Sequence, residues 1–214
     1  MVSIMGTLGF RPDTILPTIR STEGLQRVVV FHSDHVRSME AVTEVRDICV
    51  QMGLRFDHHE VPDAFNFMKV SRAIQSEITA MRAAGEVLQV FNVAGGTRIM
   101  SACALLVCTL EGVNCVYVHD DTLEEIPLPM LQIRYSDVLT PVQRDILRYL
   151  LAHRGEDITQ KELGLAFGLH KATVNHHIKE LTARGAVHLM PSTKDSRIKL
   201  INVEESMELL LGRP

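Results

Sequence analysis

Two adjacent glycines, Gly95 and Gly96, stand at a position where backbone atoms could bind an anion. They follow the apolar run 87–93, which predicts a strand buried on both faces of a parallel sheet. They precede the apolar stretch 99–110, which predicts a buried helix. Because the start of a helix presents unpaired N–H donors and the positive end of the helix dipole, an anion can bind in such a turn.

The two residues after the glycines add further anion-binding groups. Thr97 offers a hydroxyl donor and Arg98 a fixed positive charge. The pattern has neither the Gly-Lys-Ser/Thr of the nucleotide hydrolase phosphate loop nor the GxGxxG of dinucleotide sites, so it predicts a phosphate-bearing ligand without naming ATP or NAD. A Gly-Gly turn that serves only close packing is the alternative, and the glycines alone leave both interpretations open.

The segment 92–100, NVAGGTRIM, resembles the N-x-[TS]-GGT-[KR]-x-M signature of CRISPR-associated Rossmann-fold (CARF) domains, which sense cyclic oligoadenylates. Ala94 stands where the family often has Thr or Ser, and Arg98 stands where Lys is common. The first departure removes a hydroxyl and the second keeps the charge. The resemblance implies that the ligand is contacted by Asn92, Ala94, Gly95, Gly96, Thr97 and Arg98.

A second glycine-containing loop follows the first predicted strand, residues 2–5. Its sequence is GTLGFRP, and Pro12 suits the start of a helix through Arg20. The residues alone are equally consistent with a plain loop. In CARF proteins this loop forms the other half of the ligand pocket, which implies ligand contacts from Thr7, Leu8, Gly9, Phe10 and Arg11.

Strands and helices alternate over the first two thirds of the chain. Further strands are predicted at 27–31, 55–61, 114–118 and 131–135, and long helices at 36–52 and 64–84. This order predicts an α/β fold with a Rossmann-like, mostly parallel sheet and helices on both faces. Both glycine loops would leave the same edge of that sheet and converge on one crevice. His32 and Ser33 follow the strand 27–31 and are expected either at the crevice or in a solvated loop.

The pattern changes after Tyr135. Capping boxes at Thr140 and Thr159 predict two helices, and a third is predicted over 170–184 with Val174, Ile178 and Leu181 facing inward. Alternating residues at 186–190 and 197–201 then predict two strands around a polar hairpin. Three helices and a basic hairpin make an α+β winged helix-turn-helix, and residues 159–201 resemble winged-helix regulators throughout. We therefore assign residues 1–135 to a CARF-like ligand-sensing domain and 136–214 to a DNA-binding domain.

Charge separates the two parts. Residues 1–136 hold 11 basic and 16 acidic residues, residues 137–214 hold 11 and 10, and the whole chain has a net charge of −4. A local excess of basic residues over 160–199 favours a polyanion as the partner of the C-terminal part only. On the third helix and the wing, the residues expected to contact DNA are Lys171, Ala172, Thr173, Asn175, His176, Lys179, Lys194, Arg197 and Lys199. A winged helix used only for protein contacts is the alternative.

Several classes of function find no support. The four cysteines form no CxxC pair and lie in apolar runs, which is typical of core residues in a reducing compartment. The histidines His32, His35, His58 and His59 lack the cysteines or carboxylates that would complete a metal site. No catalytic constellation can be assembled from spacing, and no apolar stretch is long enough to span a membrane. The sequence predicts a cytoplasmic protein that is not an enzyme and has no metal or cofactor.

Together the two resemblances identify a similarity to the archaeal CRISPR-associated transcription regulators that join a CARF domain to a winged helix. That family implies a homodimer, a cyclic oligoadenylate, in particular cyclic tetra-adenylate, bound across the two-fold axis, and double-stranded DNA of a CRISPR or cas promoter region as partner. Two other functions stay open. One is a ring nuclease that cleaves the cyclic ligand in the same pocket, and the other is a regulator that senses another phosphorylated metabolite.

Overall fold

The chain folds as two compact units, Met1–Tyr135 and Ser136–Pro214. The structure is a computed structural model that describes residues 1–129, 139–193 and 197–211. The predicted strand 131–135 and the predicted DNA contact Lys194 lie outside the described residues.

The first unit contains one six-stranded sheet in the order β3-β2-β1-β4-β5-β6. Strands β1 to β5 pair in parallel and β6 pairs antiparallel with β5. The α/β fold class with a mostly parallel sheet is therefore confirmed. The strands are β1 Val2–Thr7, β2 Leu25–Ser33, β3 Arg55–Val61, β4 Val87–Asn92, β5 Cys115–Val118 and β6 Glu125–Leu128.

Helices cover both faces of this sheet. After β1 a 3-10 turn, Pro12–Thr14, leads into α1, Leu16–Ser21, where the sequence predicted a single helix. Because side chains alternate along a strand, Ile4 and Val28 pack on one face with α1 and α2, while Met5 and Val29 pack on the other with α3 and α4. The longer helices are α2 Val36–Gln51, α3 Phe67–Ala83 and α4 Arg98–Glu111.

Two sequence predictions about the sheet are wrong. Strand β4 is not buried on both faces along its length, because Val87 and Gln89 are exposed and only Phe91 and Asn92 are fully buried. No strand was predicted over residues 125–128, but Glu125–Leu128 forms β6. Val87 lies at the amino end of β4, where its partner Val2 in β1 is only half-buried, and β6 is an edge strand of the sheet.

The second unit has the helix and strand order of a winged helix. The predicted capping boxes are present at Thr140 and Thr159. In each box the threonine hydroxyl oxygen accepts from the N–H of the third helical residue, and the side chain of that residue, Gln143 or Glu162, accepts from the backbone N–H of the threonine. The antiparallel strands form the wing, and Thr159 bridges to Leu200 in its second strand. The elements are α5 Pro141–Ala152, α6 Gln160–Phe167, α7 Lys171–Ala183, β7 Val187–Pro191, β8 Lys199–Val203 and a short α8 Met207–Leu211.

In the described residues, every helix is too short or too polar to cross a membrane.

Candidate ligand cleft and DNA-binding surface

The two glycine loops leave the sheet side by side. Strands β1 and β4 are neighbours in the sheet, and Gly6 pairs with Asn92 near their carboxyl ends. The strand order reverses between β1 and β4, and ligands of doubly wound folds bind at such a switch point. The expected convergence of the loops at one edge is therefore present.

The loops touch through their glycines. A Cβ on Gly95 would lie 2.3 Å from the carbonyl oxygen of Thr7, and a Cβ on Gly9 would lie 2.9 Å from the amide nitrogen of Gly96. Gly96 also has a positive φ of +80°, which side chains rarely adopt. Close packing of the two loops is thus sufficient to require glycine at Gly95, whether or not a ligand binds there.

The side chain of Asn92 links the two glycine loops through hydrogen bonds. The residue is 1% exposed, and its amide donates to the carbonyl oxygen of Thr14 at 3.0 Å and to the hydroxyl of Thr18 at 2.8 Å. Its side-chain oxygen accepts from the N–H of Ala94 at 2.9 Å. Asn92 therefore joins the segment after β1 to the turn after β4, and its polar atoms are occupied.

The hydroxyl of Thr97 is also engaged. It caps α4 by accepting from the N–H of Met100 at 3.1 Å, and it donates to the carbonyl oxygen of Ala64 at 3.0 Å. Its hydrogen is therefore not directed toward the solvent, contrary to the expectation of a free hydroxyl donor. The contact instead ties the β3–α3 loop to the start of α4.

A cleft of about 440 Å³ opens beside these loops. Five of the predicted ligand residues line it: Gly9, Phe10, Gly96, Thr97 and Arg98. Four further residues complete its wall: Ser33, Ser38, Phe65 and Ile99. The cleft thus receives residues from the loops after β1, β2, β3 and β4.

Part of this wall was not predicted from the sequence. Ser33 was considered, because it follows a predicted strand, whereas Phe65 and Ser38 were not. The available signal was position, since Phe65 lies a few residues beyond the carboxyl end of β3 and Ser38 lies in the first turn of α2. Both places belong to the edge of the sheet where the glycine loops were expected.

Other predicted ligand residues lie away from the cleft. Thr7 and Leu8 are fully buried, and the hydroxyl of Thr7 has no partner among the described residues. Arg11 is paired with Asp13 at 2.7 Å, and this pair raises the pKa of the arginine and lowers that of the carboxyl. Together with Asn92 these residues form or flank the frame of the cleft, and their contact with a ligand stays a prediction.

The cleft has a cationic rim. The side chain of Arg98 makes no ion pair or hydrogen bond with any other residue that the structure describes. The N–H groups of Gly96, Arg98 and Ile99 likewise have no acceptor within the described ranges. Unpaired N–H groups at the start of a fourteen-residue helix, beside an arginine, form a site that can hold a phosphate group.

Two hydrogen-bonded histidines, His32 and His58, connect Ser33 in the wall of the cleft to Arg46. Nδ1 of His32 lies 2.9 Å from the carbonyl oxygen of Ser33, and its Nε2 lies 2.9 Å from Nδ1 of His58. Nη2 of Arg46 lies 3.2 Å from the remaining nitrogen of His58. Every hydrogen bond is satisfied when both rings are neutral: Arg46 donates to His58, His58 to His32, and His32 to Ser33. The pKa of His58 is lowered by partial burial first and then by the neighbouring His32 and Arg46.

The outer face of α4 is apolar and uncovered. No charged residue lies between Arg98 and Glu111 in this helix. Ala102, Leu105 and Thr109 are exposed at helical spacing, and the face begins next to the Gly95–Gly96 turn. An apolar stripe of this kind is typical of a surface that packs against another helix.

The predicted recognition surface on α7 has the expected orientation. Val174, Ile178 and Leu181 are fully buried. His170 stands at the N-cap of the helix without a side-chain capping bond, and His176 lies 3.6 Å from Glu180. The residues predicted to contact DNA are all exposed on the opposite face: Lys171, Ala172, Thr173, Asn175, His176 and Lys179.

The wing presents Arg197 and Lys199, which are both exposed. The hairpin is closed by a hydrogen bond from the N–H of Ser192 to the carbonyl oxygen of Ile198 at 2.8 Å. Arg197 and Lys199, the two predicted wing contacts within the described residues, are therefore accessible to a partner.

In residues 1–129, 139–193 and 197–211, no group of three or more His, Cys, Asp or Glu side chains is placed to hold a metal ion. The four cysteines are buried and unpaired, and burial raises the pKa of the Cys49 thiol to about 11. A thiol in that environment is protonated at neutral pH and is a poor nucleophile.

Residues 139–198 match the sequence model of the MarR family. The matched residues run from the start of α5 into the wing and are less than half of the chain. The C-terminal unit therefore has a winged helix-turn-helix fold that is similar to the MarR family over these residues. No curated protein has a sequence that matches this chain.

Solved structures resemble parts of the chain or its fold. The MepR–DNA complex of S. aureus is 26% identical, with a TM-score of 0.33 and coverage of 34% of this chain and 55% of the MepR chain. The adhesin competence repressor AdcR from Streptococcus pyogenes is 25% identical, with a TM-score of 0.31 and coverage of 34% and 52%. The chain thus spans about half the length of these proteins.

Protein VC1899 from Vibrio cholerae resembles the chain over a longer range. It has a TM-score of 0.52 at 14% identity, and the match covers 99% of this chain and 64% of that protein. At this identity the similarity indicates a shared fold alone.

Proposed function

We propose that the protein is a ligand-responsive transcription regulator of CRISPR-Cas loci that senses a cyclic oligoadenylate, in particular cyclic tetra-adenylate, with its N-terminal unit. The observation that carries the proposal is a cleft at the switch point of the sheet, with a doubled-glycine turn, in the same chain as a MarR-type winged helix. The CARF-like signature around that turn supplies the ligand class. No catalytic group is assigned to the cleft, so the proposed role is binding without turnover.

The cleft suits a phosphodiester on electrostatic grounds. A phosphate oxygen near Gly96 would meet the unpaired N–H groups of Arg98 and Ile99 and the positive end of the α4 dipole. The free guanidinium of Arg98 adds a bidentate donor for a second phosphate oxygen. Each interaction depends on negative charge in the ligand, so a neutral ligand would gain none of them.

The second copy of the chain is proposed to pack on the apolar face of α4. This face begins at the Gly95–Gly96 turn, so a two-fold axis through it would bring the two turns together. A cyclic ligand with internal symmetry could then contact both copies. Dimerisation also serves the winged helix, because one recognition helix covers one half-site, and tight specific binding is usual for paired half-sites.

DNA and ligand are proposed to affect each other's affinity. A ligand shared by two copies can alter the spacing of the two winged helices through the segment 136–140. Such coupling is reciprocal and typically amounts to about 1–3 kcal/mol. The affinity of the protein for ligand should therefore change on saturation with operator DNA by the same factor as its affinity for DNA changes on saturation with ligand.

The test measures both affinities on the full chain, with the mass determined by light scattering. Cyclic tetra-adenylate is titrated by calorimetry with and without duplex DNA that carries a CRISPR or cas promoter region, the proposed operator. Arg98→Ala should weaken ligand binding, while Arg82→Ala, far along α3, should not. A monomer, or two affinities each indifferent to the other partner, would contradict the proposal. Linear adenylate products in the titrated mixture would indicate a ring nuclease instead.

A further inference from the structure

Phe65 is 76% exposed although it lines a concave cleft. Phe10 lines the same cleft and is 46% exposed. Because ligand pockets are concave and lined mainly by hydrophobic and aromatic side chains, two exposed aromatic rings at one cleft favour a ligand there. The loops that carry these two rings show how a ligand would meet them.

Phe10 is held against α2. Its ring centroid lies 4.7 Å from that of His35, and the guanidinium carbon of Arg37 lies 4.7 Å from the Phe10 centroid. His35 is itself fixed, because it caps α2 by accepting from the N–H of Arg37 at 3.1 Å. The Phe10 ring is therefore a supported wall of the cleft.

Phe65 stands in a short loop that is fixed at both ends. The carbonyl oxygen of Ala64 accepts from Thr97, which ties the loop to α4, and Asn66 caps α3 by accepting from the N–H of Lys69 at 3.0 Å. Helix α2 packs on one face of the sheet, and α3 and α4 pack on the other. The two rings therefore enter the cleft from loops that belong to opposite faces.

Polar groups line the cleft together with the two rings. The hydroxyls of Ser33 and Ser38 are 2.9 Å apart, and either can donate to the other. Hydroxyls can switch between donating and accepting, so they can satisfy a mixed donor and acceptor edge. Arg98 and the Gly96 turn, where a phosphate is proposed to bind, line the same cleft.

We propose that the cleft binds a nucleobase of the ligand, adenine in the proposed ligand, with its flat face stacked on Phe65 and its polar edge directed toward Ser33 and Ser38. This inference rests on the proposed function and adds which part of the ligand the cleft reads. Phe10 lines the same cleft and supplies a second apolar wall. Stacking on an aromatic side chain tolerates different bases, whereas the serine hydroxyls select among base edges.

The first experiment compares Phe65→Ala with Phe65→Trp in the full chain, using cyclic tetra-adenylate as the titrant. Alanine should raise the Kd between about 5-fold and about 150-fold, which is the range measured for loss of one base–aromatic stack. Tryptophan should retain the binding, because it restores a flat surface. The matched control is Phe67→Ala, since Phe67 lies two residues away and does not line the cleft.

A spectroscopic readout separates stacking from a change in fold. A cyclic tetranucleotide with one adenine replaced by 2-aminopurine should lose fluorescence on binding to the wild-type protein and to Phe65→Trp, because stacking quenches this base. Saturated Phe65→Ala should show little quenching. Wild-type affinity together with full quenching in Phe65→Ala would overturn the inference.

Failure of the proposed ligand would be recognised separately. If the wild-type protein does not bind cyclic tetra-adenylate, the proposed function fails, and adenosine 5′-monophosphate is titrated against the same three proteins. Binding that depends on an aromatic residue at Phe65 would still support the base site. Absence of binding, or binding that is indifferent to Phe65→Ala, would overturn it.

Discussion

The exposure of side chains at the cleft and on the outer face of α7 was predicted from the same sequence with different success. On α7 every predicted DNA-contacting residue is exposed. At the cleft, the predicted residues Thr7, Leu8 and Asn92 are buried at or just after the ends of β1 and β4, while Phe65, which lines the cleft, was not predicted. The difference arises because helical periodicity determines which side chains face outward, whereas a loop motif combines residues that hold the loop with residues that face a ligand.

The largest expected effect comes from Gly95→Ala. The added methyl group would lie 2.3 Å from the carbonyl oxygen of Thr7, so the two loops must separate. We expect the free energy of unfolding of the N-terminal unit to fall by about 3 kcal/mol, the upper part of the range for overpacking. Hydrogen exchange of the N-terminal unit at increasing denaturant measures this change.

Gly24→Ala is the matched control for that substitution. Gly24 has a positive φ of +66° and open space around its Cβ position, so alanine there carries only the backbone cost of about 1 kcal/mol. Equal effects at the two glycines would mean that the loops are not packed on each other through Gly95.

A second comparison separates the frame of the cleft from its contact surface. Asn92→Ala should lower the free energy of unfolding by about 1–3 kcal/mol, because it leaves the carbonyl oxygen of Thr14 and the N–H of Ala94 without their partner. Arg98→Ala should change stability by less than about 0.5 kcal/mol, because its side chain is exposed, and should weaken ligand binding. Calorimetry and denaturant unfolding of both variants measure the contrast. If Arg98→Ala lowered the free energy of unfolding more than Asn92→Ala, then Arg98 would hold the two loops together and would not be only a contact residue of the cleft.

Much of the fold was predictable because apolar runs and their periods are set by burial. Strand β3 has the predicted bounds, and the cores of β2 and α2 follow from unbroken or periodic apolar residues. Strand β6 was missed because its sequence, EIPL, contains a charge and a proline. Both are common in edge strands, but in a short segment they are also typical of a loop.

The cleft was only partly predictable. Its location follows from two glycine loops after parallel strands, but the partners of each side chain depend on contacts distant in sequence. Thr97 reaches Ala64, and Asn92 reaches Thr14 and Thr18. No local pattern encodes such pairs. The sequence therefore predicted that the Thr97 hydroxyl could donate to a ligand, whereas in the fold it donates to the carbonyl oxygen of Ala64.

A third prediction tests whether exposure on α7 means contact. Lys179→Ala should weaken binding to all DNA sequences and make the slope of log K against log salt shallower by about one unit, because one phosphate contact is lost. Asn175→Ala should instead reduce the preference for operator over other DNA by about 1–3 kcal/mol, because an asparagine amide reads a base edge. Gel-shift titrations at several salt concentrations measure both.

Lys69→Ala controls for the change in net charge. Lys69 lies in the N-terminal unit and is paired with Asp63 at 3.3 Å, so its removal should leave the salt dependence of DNA binding unchanged. If all three variants behave alike, the face of α7 is not the DNA-binding surface.

The smallest expected effect concerns His58, whose chain of hydrogen bonds ends at the cleft wall. The pKa of His58 is lowered from 6.5, by partial burial first and then by His32 and Arg46, whereas Glu60 acts in the opposite direction and His59 adds to the lowering. The folded state therefore binds a proton less readily than the unfolded state. The corresponding stability is fully present above about pH 6.5 and is lost as the pH falls toward the lowered pKa. Protonation would also turn the ring nitrogen that accepts from Arg46 into a donor, which breaks that contact.

We expect the unfolding free energy of the N-terminal unit to decrease between pH 7.5 and pH 5.5, and to decrease less in His58→Gln, which keeps a donor and an acceptor but does not titrate. His119→Gln is the control, because His119 is exposed and does not take part in the hydrogen bonds of His32, His58 and Arg46; this variant should keep the wild-type pH dependence. An equal pH dependence in the wild type, His58→Gln and His119→Gln would contradict the role of His58.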